Sequence, residues 1–108
     1  MKKKKINKVI RNGLVAVIIS PGHGAGWWTW NRDRIDMIFD PGLVDLLERK
    51  QPEDKILAYA TLKWPDAFLG GIDELMIEWV LEGTEFKINE YDGSESIELK
   101  ESDNWLTA

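Results

Sequence analysis

The residues best suited to hold a ligand are concentrated in one segment, which runs from Ser20 to Asn31. Gly22, Gly24 and Gly26 alternate with other residues there, and three of the chain's six tryptophans follow directly. Glycine lets the backbone turn sharply and approach a ligand closely, and indole rings offer a flat surface for stacking. Backbone N–H groups in such a loop bind phosphate without any net positive charge. The pattern therefore predicts a site for a ligand that is both planar and polar.

The same glycines also have a purely structural interpretation, in which they form a tight bend after a strand and the tryptophans fold back onto the core. Their spacing matches neither the dinucleotide-binding motif G-x-G-x-x-G nor the P-loop. Three indoles within four residues are hard to bury together, because alternate positions of an extended segment face opposite ways. We expect at least one of Trp27, Trp28 and Trp30 to be exposed, or to cover a ligand or a neighbouring subunit.

Polar side chains near the loop add contacts that suit a nucleotide. Ser20, Thr29 and Asn31 are neutral donors and acceptors that fit ribose hydroxyls or base edges, although each also suits capping of the loop's own backbone. Arg32 and Arg34 follow, and one of them is expected to contact phosphate, although nearby aspartates also fit an ordinary mixed-charge surface. The predicted ligand-binding residues are Ser20, Pro21, Gly22, His23, Gly24, Ala25, Gly26, Trp27, Trp28, Thr29, Trp30, Asn31 and Arg32.

Groups with an obvious catalytic role are few. His23 is the only histidine, and a general base needs an orienting partner that the sequence does not supply. Glu78 and Glu85 could act as acid and base across neighbouring strands, but a solvated sheet face explains them more simply. The chain has no cysteine, which excludes disulfides and thiolate metal sites. We expect a binding protein that is not an enzyme and has no metal or cofactor.

Composition and charge point to one soluble domain. The chain has 108 residues, of which 44% are hydrophobic and 31% charged. A net charge of -5 argues against binding to long nucleic acid, which requires a basic face. No apolar run is long enough to cross a bilayer, so we expect a cytoplasmic protein without membrane contact. The predicted organisation is a flexible basic tail at residues 1–5 and a single domain at residues 6–108.

The elements that must position the loop predict an α+β fold. Asn12-Gly13 is typical of a tight turn, so Ile6–Ile10 and Leu14–Ile19 are expected to form a β-hairpin. Asp40 before Pro41 marks the start of a short helix. A second helix is expected to begin near the segment 51–54 and to end before Pro65. The C-terminal part is predicted to be a β-meander with strands at Leu75–Val80, Glu85–Tyr91 and Ser96–Lys100. The predicted fold is thus a small antiparallel sheet, made of the N-terminal hairpin and the C-terminal meander, with two central short helices.

Several segments together resemble a family of small proteins encoded by bacteriophages. The resemblance is carried by the string S-P-G-x-G-A-G-W-x-T-W-N within Ile19–Asn31, and by Ile77–Trp79, Glu82–Phe86 and Glu90–Glu95. A common variant of the family has an aromatic residue at the position of His23, which implies that this histidine is not catalytic.

A second resemblance is to phage anti-defence sponges, which sequester immune signals such as cyclic ADP-ribose isomers or cyclic oligonucleotides and typically form oligomers. It implies a homo-oligomer in the host cytoplasm that binds a small nucleotide signal without cleaving it. Two alternatives stay open at this point. One is an inhibitor that binds a host protein through the exposed tryptophan loop, and the other is a small nucleotide-processing enzyme.

Overall fold

The computed structural model, which describes residues 6–22 and 26–99, has the predicted α+β fold. The elements are β1 (Ile10–Arg11), β2 (Leu14–Ile19), α1 (Pro41–Glu48), α2 (Glu53–Lys63), β3 (Met76–Leu81), β4 (Phe86–Tyr91) and β5 (Ser94–Leu99). Strands β1, β2 and β3 form one antiparallel sheet, and β4 and β5 form a second one. The two α-helices lie between β2 and β3 in the chain. Short 3₁₀ turns occur at Trp28–Trp30, Ile35–Ile38 and Ile72–Glu74.

The N-terminal hairpin forms as predicted, with a shorter first strand. Asn12 and Gly13 have φ angles of 52° and 80°, the left-handed values that a two-residue type I′ turn requires. Only Ile10 of the predicted strand Ile6–Ile10 belongs to β1, although Val9 still accepts a hydrogen bond from the chain across the hairpin. The turn fixes the register of β2 and therefore decides which of its side chains face each layer.

Strand β2 is buried on both faces. Ala16 and Ile18 pack in a core with residues of both helices, whereas Val15, Val17 and Ile19 pack in a second core on the opposite face. A strand with two covered faces has no polar side to present, which explains its continuous apolar sequence. The molecule therefore has three layers, with β2 at the centre.

Both helices begin where the sequence predicts, and the second also ends where it predicts. The Asp40 side chain accepts a hydrogen bond from the Leu43 N–H at 2.9 Å and caps α1, with Pro41 in the first turn. Acidic residues lie in the first turn of α2, and this helix ends at Lys63, two residues before Pro65. No helix in residues 6–22 and 26–99 combines the length and apolarity needed to span a bilayer.

The C-terminal strands differ from a continuous meander, because β3 pairs with β2 and not with β4. Its register runs from Leu14 opposite Leu81 to Ile19 opposite Met76. At the end of β3, Glu82 donates its N–H to the Gly13 carbonyl at 2.8 Å. The chain then leaves the sheet, and the β4–β5 hairpin covers the second apolar face of β2. The apolar side chains on this face of β2 would otherwise be exposed to water, and the hairpin buries them.

The second strand of this hairpin also begins earlier than predicted. Strand β5 starts at Ser94, two positions before the predicted Ser96, and so includes Glu95. The predicted end at Lys100 and the predicted tail at residues 1–5 lie outside the described residues.

Candidate ligand-binding groove and the glycine-tryptophan loop

The glycine-tryptophan loop (residues 20–31) is held by hydrogen bonds to one buried carboxylate, that of Glu95. This side chain is 1% exposed. Its Oε1 accepts a hydrogen bond from the Ser20 N–H at 2.9 Å, and its Oε2 accepts from the Trp27 N–H at 2.9 Å. Oε2 also accepts from the N–H and the hydroxyl of Thr29, both at 2.8 Å. Three loop amides, those of Ser20, Trp27 and Thr29, thus bind a carboxylate of the protein itself.

The geometry of the β4–β5 hairpin places the Glu95 carboxylate against the loop. Asp92 and Gly93 have positive φ angles of 54° and 87° and form a two-residue turn, which sets Glu95 opposite Glu90. Because side chains alternate along a strand, Glu95 lies on the same face as Ile97 and Ile88, which is the covered face. Sequence reasoning missed Glu95, although the two-residue turn and the neighbouring apolar residues would have placed its carboxylate on this face.

The three loop tryptophans have different environments. Trp27 is fully buried, its Nε1 donates to the Met37 carbonyl at 3.0 Å, and its ring packs edge-on against Trp64. Trp28 is half-buried, and Trp30 is 55% exposed. The expectation that at least one indole is exposed is confirmed.

The polar side chains of Asn31 and Thr29 connect the loop to other parts of the protein. Asn31 is buried, and its amide bonds to the Trp27 carbonyl and to both backbone groups of Phe68 at 2.8–2.9 Å. The Thr29 hydroxyl bonds to Glu95, as described above. Ser20 is also buried, and its hydroxyl finds no hydrogen-bond partner within the described part of the chain. Asn31 therefore caps backbone groups, the alternative role that the sequence offered, whereas the Thr29 hydroxyl donates to the carboxylate of Glu95 and caps no backbone group.

The remaining loop positions are packed closely where they are described. Pro21 is exposed, and its carbonyl accepts a hydrogen bond from the Ser94 hydroxyl at 2.6 Å. A Cβ on Gly22 would overlap the Glu74 carboxylate, and one on Gly26 would overlap the Thr29 hydroxyl. Close packing thus requires Gly26, because the Thr29 hydroxyl is held by Glu95. The Glu74 carboxylate is the far end of an exposed, flexible side chain and can move away from Gly22. His23, Gly24 and Ala25 lie outside the described residues.

A groove of about 820 Å³ lies beside the loop, between β4 and the segment from Trp28 to Phe39. Trp28 and Arg32 are the predicted site residues that line it. Its floor is mostly apolar, with isoleucine and phenylalanine side chains from both walls, and it has the size typical of a small-molecule site. The lining consists of Lys8, Trp28, Arg32, Ile35, Ile38, Phe39, Thr84, Glu85, Phe86, Lys87, Ile88, Asn89 and Glu90.

Two cations of this groove lie over aromatic rings. The Arg32 guanidinium carbon is 5.3 Å from the centroid of the Trp28 ring, and Lys8 Nζ is 4.6 Å from that of Phe39. Neither cation forms a salt bridge with the carboxylates in residues 6–22 and 26–99. An aromatic ring attracts a cation without neutralising it, so both groups keep their charge for an anion. Arg34, the other candidate for phosphate contact, does not line the groove.

The predicted acid–base pair is not formed across neighbouring strands. Glu78 lies in β3 opposite Val17 of β2, and Glu85 precedes β4, which pairs only with β5 among the described strands. Glu90, which lines the groove, accepts a hydrogen bond from the Gly93 N–H at 2.6 Å. Within residues 6–22 and 26–99, no group of three or more histidine or carboxylate side chains could hold a metal ion.

Comparison with known proteins finds no family model, no curated protein and no solved structure that matches this chain. The resemblance to small bacteriophage proteins therefore stays a prediction. The function must be inferred from the groove itself.

Proposed function

We propose that the protein binds a small nucleotide-derived anion in the groove and sequesters it without cleaving it. The observation that carries this proposal is the pair of cations, Arg32 and Lys8, which lie over aromatic rings without carboxylate partners in the described part of the chain. Their charges would meet the phosphates, while Trp28 and the apolar floor would contact the base. The ligand site therefore lies beside the glycine-tryptophan loop, and the loop supports one of its walls.

Sequestration fits the groove better than turnover. Among the described lining residues none is a histidine, cysteine or serine, which often act as general bases or nucleophiles. The carboxylates in the lining are those of Glu85 and Glu90, and Glu90 already accepts a hydrogen bond from the Gly93 N–H. Such a protein has the chemistry required of a phage anti-defence sponge, which would act as a homo-oligomer in the host cytoplasm. The proposed ligand class is that of cyclic ADP-ribose isomers and cyclic oligonucleotides.

Equilibrium dialysis against a panel of these cyclic nucleotides tests the proposal directly. One member of the panel is expected to be depleted from solution and to be recovered chemically intact after the protein is denatured by heat. Recovery of a cleaved product would show an enzyme instead. If the protein depletes no member of the panel, the proposed ligand class is wrong.

Substitutions in the groove test the location of the site. Arg32→Ala and Lys8→Ala should each weaken binding about tenfold or more, since a hydrogen bond to a charged group contributes about 1.5–3 kcal/mol. Arg49→Ala is the matched control, because this arginine is exposed, pairs with Asp45 one turn earlier and does not line the groove. Circular dichroism would verify that each variant is folded. Binding that is unchanged in both groove variants would place the ligand elsewhere.

A further inference from the structure

Two aromatic side chains form an exposed pair away from the groove. Trp30 is 55% exposed and Phe68 is 51% exposed. Their ring centroids lie 5.4 Å apart, with an angle of 43° between the planes, so each ring covers part of the other. Neither residue lines the groove. Large aromatic rings that stay this exposed in a small domain are typical of a contact surface.

The pair is held in place by buried hydrogen bonds. Asn31, 7% exposed, binds the Trp27 carbonyl through its amide nitrogen and binds both backbone groups of Phe68. This side chain fixes the backbone that carries one ring relative to the backbone that carries the other. The Trp30 ring also rests on Gly26, where a Cβ would lie 2.9 Å from its Cδ1. A surface that is already ordered loses little conformational entropy when it binds a partner.

The charges around the pair indicate the chemistry of that partner. Asp33 and Asp66 are exposed and lie three and two residues from Trp30 and Phe68 in the chain. Arg32 is two residues from Trp30, but its guanidinium lies over the Trp28 ring in the groove. Neither aspartate forms a salt bridge with a cation in residues 6–22 and 26–99. The faces of aromatic rings attract cations, most often the arginine guanidinium, and neighbouring carboxylates strengthen this attraction. The net charge of -5 acts in the same direction at long range.

From these observations we infer that the Trp30–Phe68 pair is a docking surface for a basic segment of a partner protein. An arginine side chain of the partner stacks on the two rings while its neighbours face Asp33 and Asp66. This surface is separate from the groove, so it adds a second binding activity to the proposed one and does not depend on it.

Fluorescence anisotropy with a labelled Gly-Arg-Gly-Arg-Gly-Arg-Gly peptide tests the inference, with the peptide that has Glu at each Arg position as the charge control. Trp30→Ala and Phe68→Ala should each weaken binding of the arginine peptide about fivefold, within the range measured for cation–π contacts. Leu62→Ala is the matched control, because this side chain is 85% exposed on α2 and lies outside the pair. It should leave the affinity unchanged.

Two further variants test whether stacking on the indole, and not unfolding or charge alone, accounts for binding. Trp30→Leu keeps an apolar side chain beside Phe68 but removes the indole face, so it should weaken binding about as much as Trp30→Ala. The double substitution of Asp33 and Asp66 by asparagine should weaken binding more at low salt than at high salt, because salt screens the attraction between exposed charges. The inference is overturned if the arginine peptide does not bind, if the glutamate peptide binds equally well, or if the aromatic variants bind like the wild type. Nucleotide binding in the groove should persist in Phe68→Ala, which keeps the two proposals distinguishable, because Phe68 does not line the groove.

Discussion

Replacement of Glu95 by glutamine should destabilise the protein far more than its near-identical shape suggests. The Oε2 position receives three hydrogen bonds and the Oε1 position receives one. A glutamine would place its single carbonyl oxygen at the position with three donors. Its NH₂ group would then face the Ser20 N–H, so that two donors oppose each other in a buried site.

The expected loss follows from these contacts. The Ser20 N–H would lose its acceptor while buried, which costs about 1–3 kcal/mol, and the bonds at Oε2 would become weaker because they lose the assistance of a full charge. We expect Glu95→Gln to lower the free energy of unfolding by about 2–4 kcal/mol. Glu95→Ala should lower it further, since the Trp27 N–H is then also left without a partner. For a domain with a total stability of about 5–15 kcal/mol, either loss is large.

Urea denaturation followed by tryptophan fluorescence would measure these values. The control is Glu98→Gln, on the same strand but on its outer face, where the carboxylate contacts Asn89 and Lys87 in solvent. This control should change the stability by less than about 1 kcal/mol. A cost of Glu95→Gln no greater than that of Glu98→Gln would refute the argument that the carboxylate holds the loop.

Three further predictions concern the cores and the helix cap. Burial and the hydrogen bond to Asp40 raise the pKa of Tyr59 above its usual value of 10.0. The stability advantage of the wild type over Tyr59→Phe should therefore be full below about pH 10 and should decrease as the pH rises above it, as measured by urea titration. Gly42→Ala should destabilise the protein even though alanine favours helices, because the new Cβ would overlap the Tyr59 hydroxyl. A thermal melt at or above that of the wild type would contradict this. Trp27→Phe should lower the unfolding free energy by about 2–4 kcal/mol, since it leaves the Met37 carbonyl without its donor and opens a cavity. Chemical denaturation measures this loss, and a cost below about 1 kcal/mol would show that the site repacks freely.

Local signals in the sequence were sufficient for much of the fold. The Asn12-Gly13 turn and the Asp40-Pro41 helix start depend on residues that are adjacent in the chain, and both form as predicted. The exposure of Trp30 followed from the crowding of three indoles in one segment. These features are decided by backbone sterics and side-chain volume over a few residues, so they can be predicted from a single sequence.

The pairing of distant segments was not predictable in the same way. Strand β3 could pair with β2 or with β4, and the choice depends on which apolar face of β2 remains uncovered. The partner of the loop amides, Glu95, is 68 residues from Trp27 in the chain. The groove likewise joins three separate segments, near Lys8, Arg32 and Ile88. The glycine-rich pattern predicts phosphate binding by the loop, but it does not indicate that the amides of Ser20, Trp27 and Thr29 bind a carboxylate of the protein itself.

The division into two sheets has a consequence for the motion of the molecule. No ladder of backbone hydrogen bonds joins β4 to β3 among the described strands, so the hairpin is attached through side-chain packing and through the tip that carries Ser94 and Glu95. Elements attached in this way often open as one cooperative unit while the rest stays folded. In native-state hydrogen exchange, the amides of β4 and β5 should therefore exchange together and before those of β2. Since β4 is one wall of the groove, the same opening would set how fast a ligand enters and leaves.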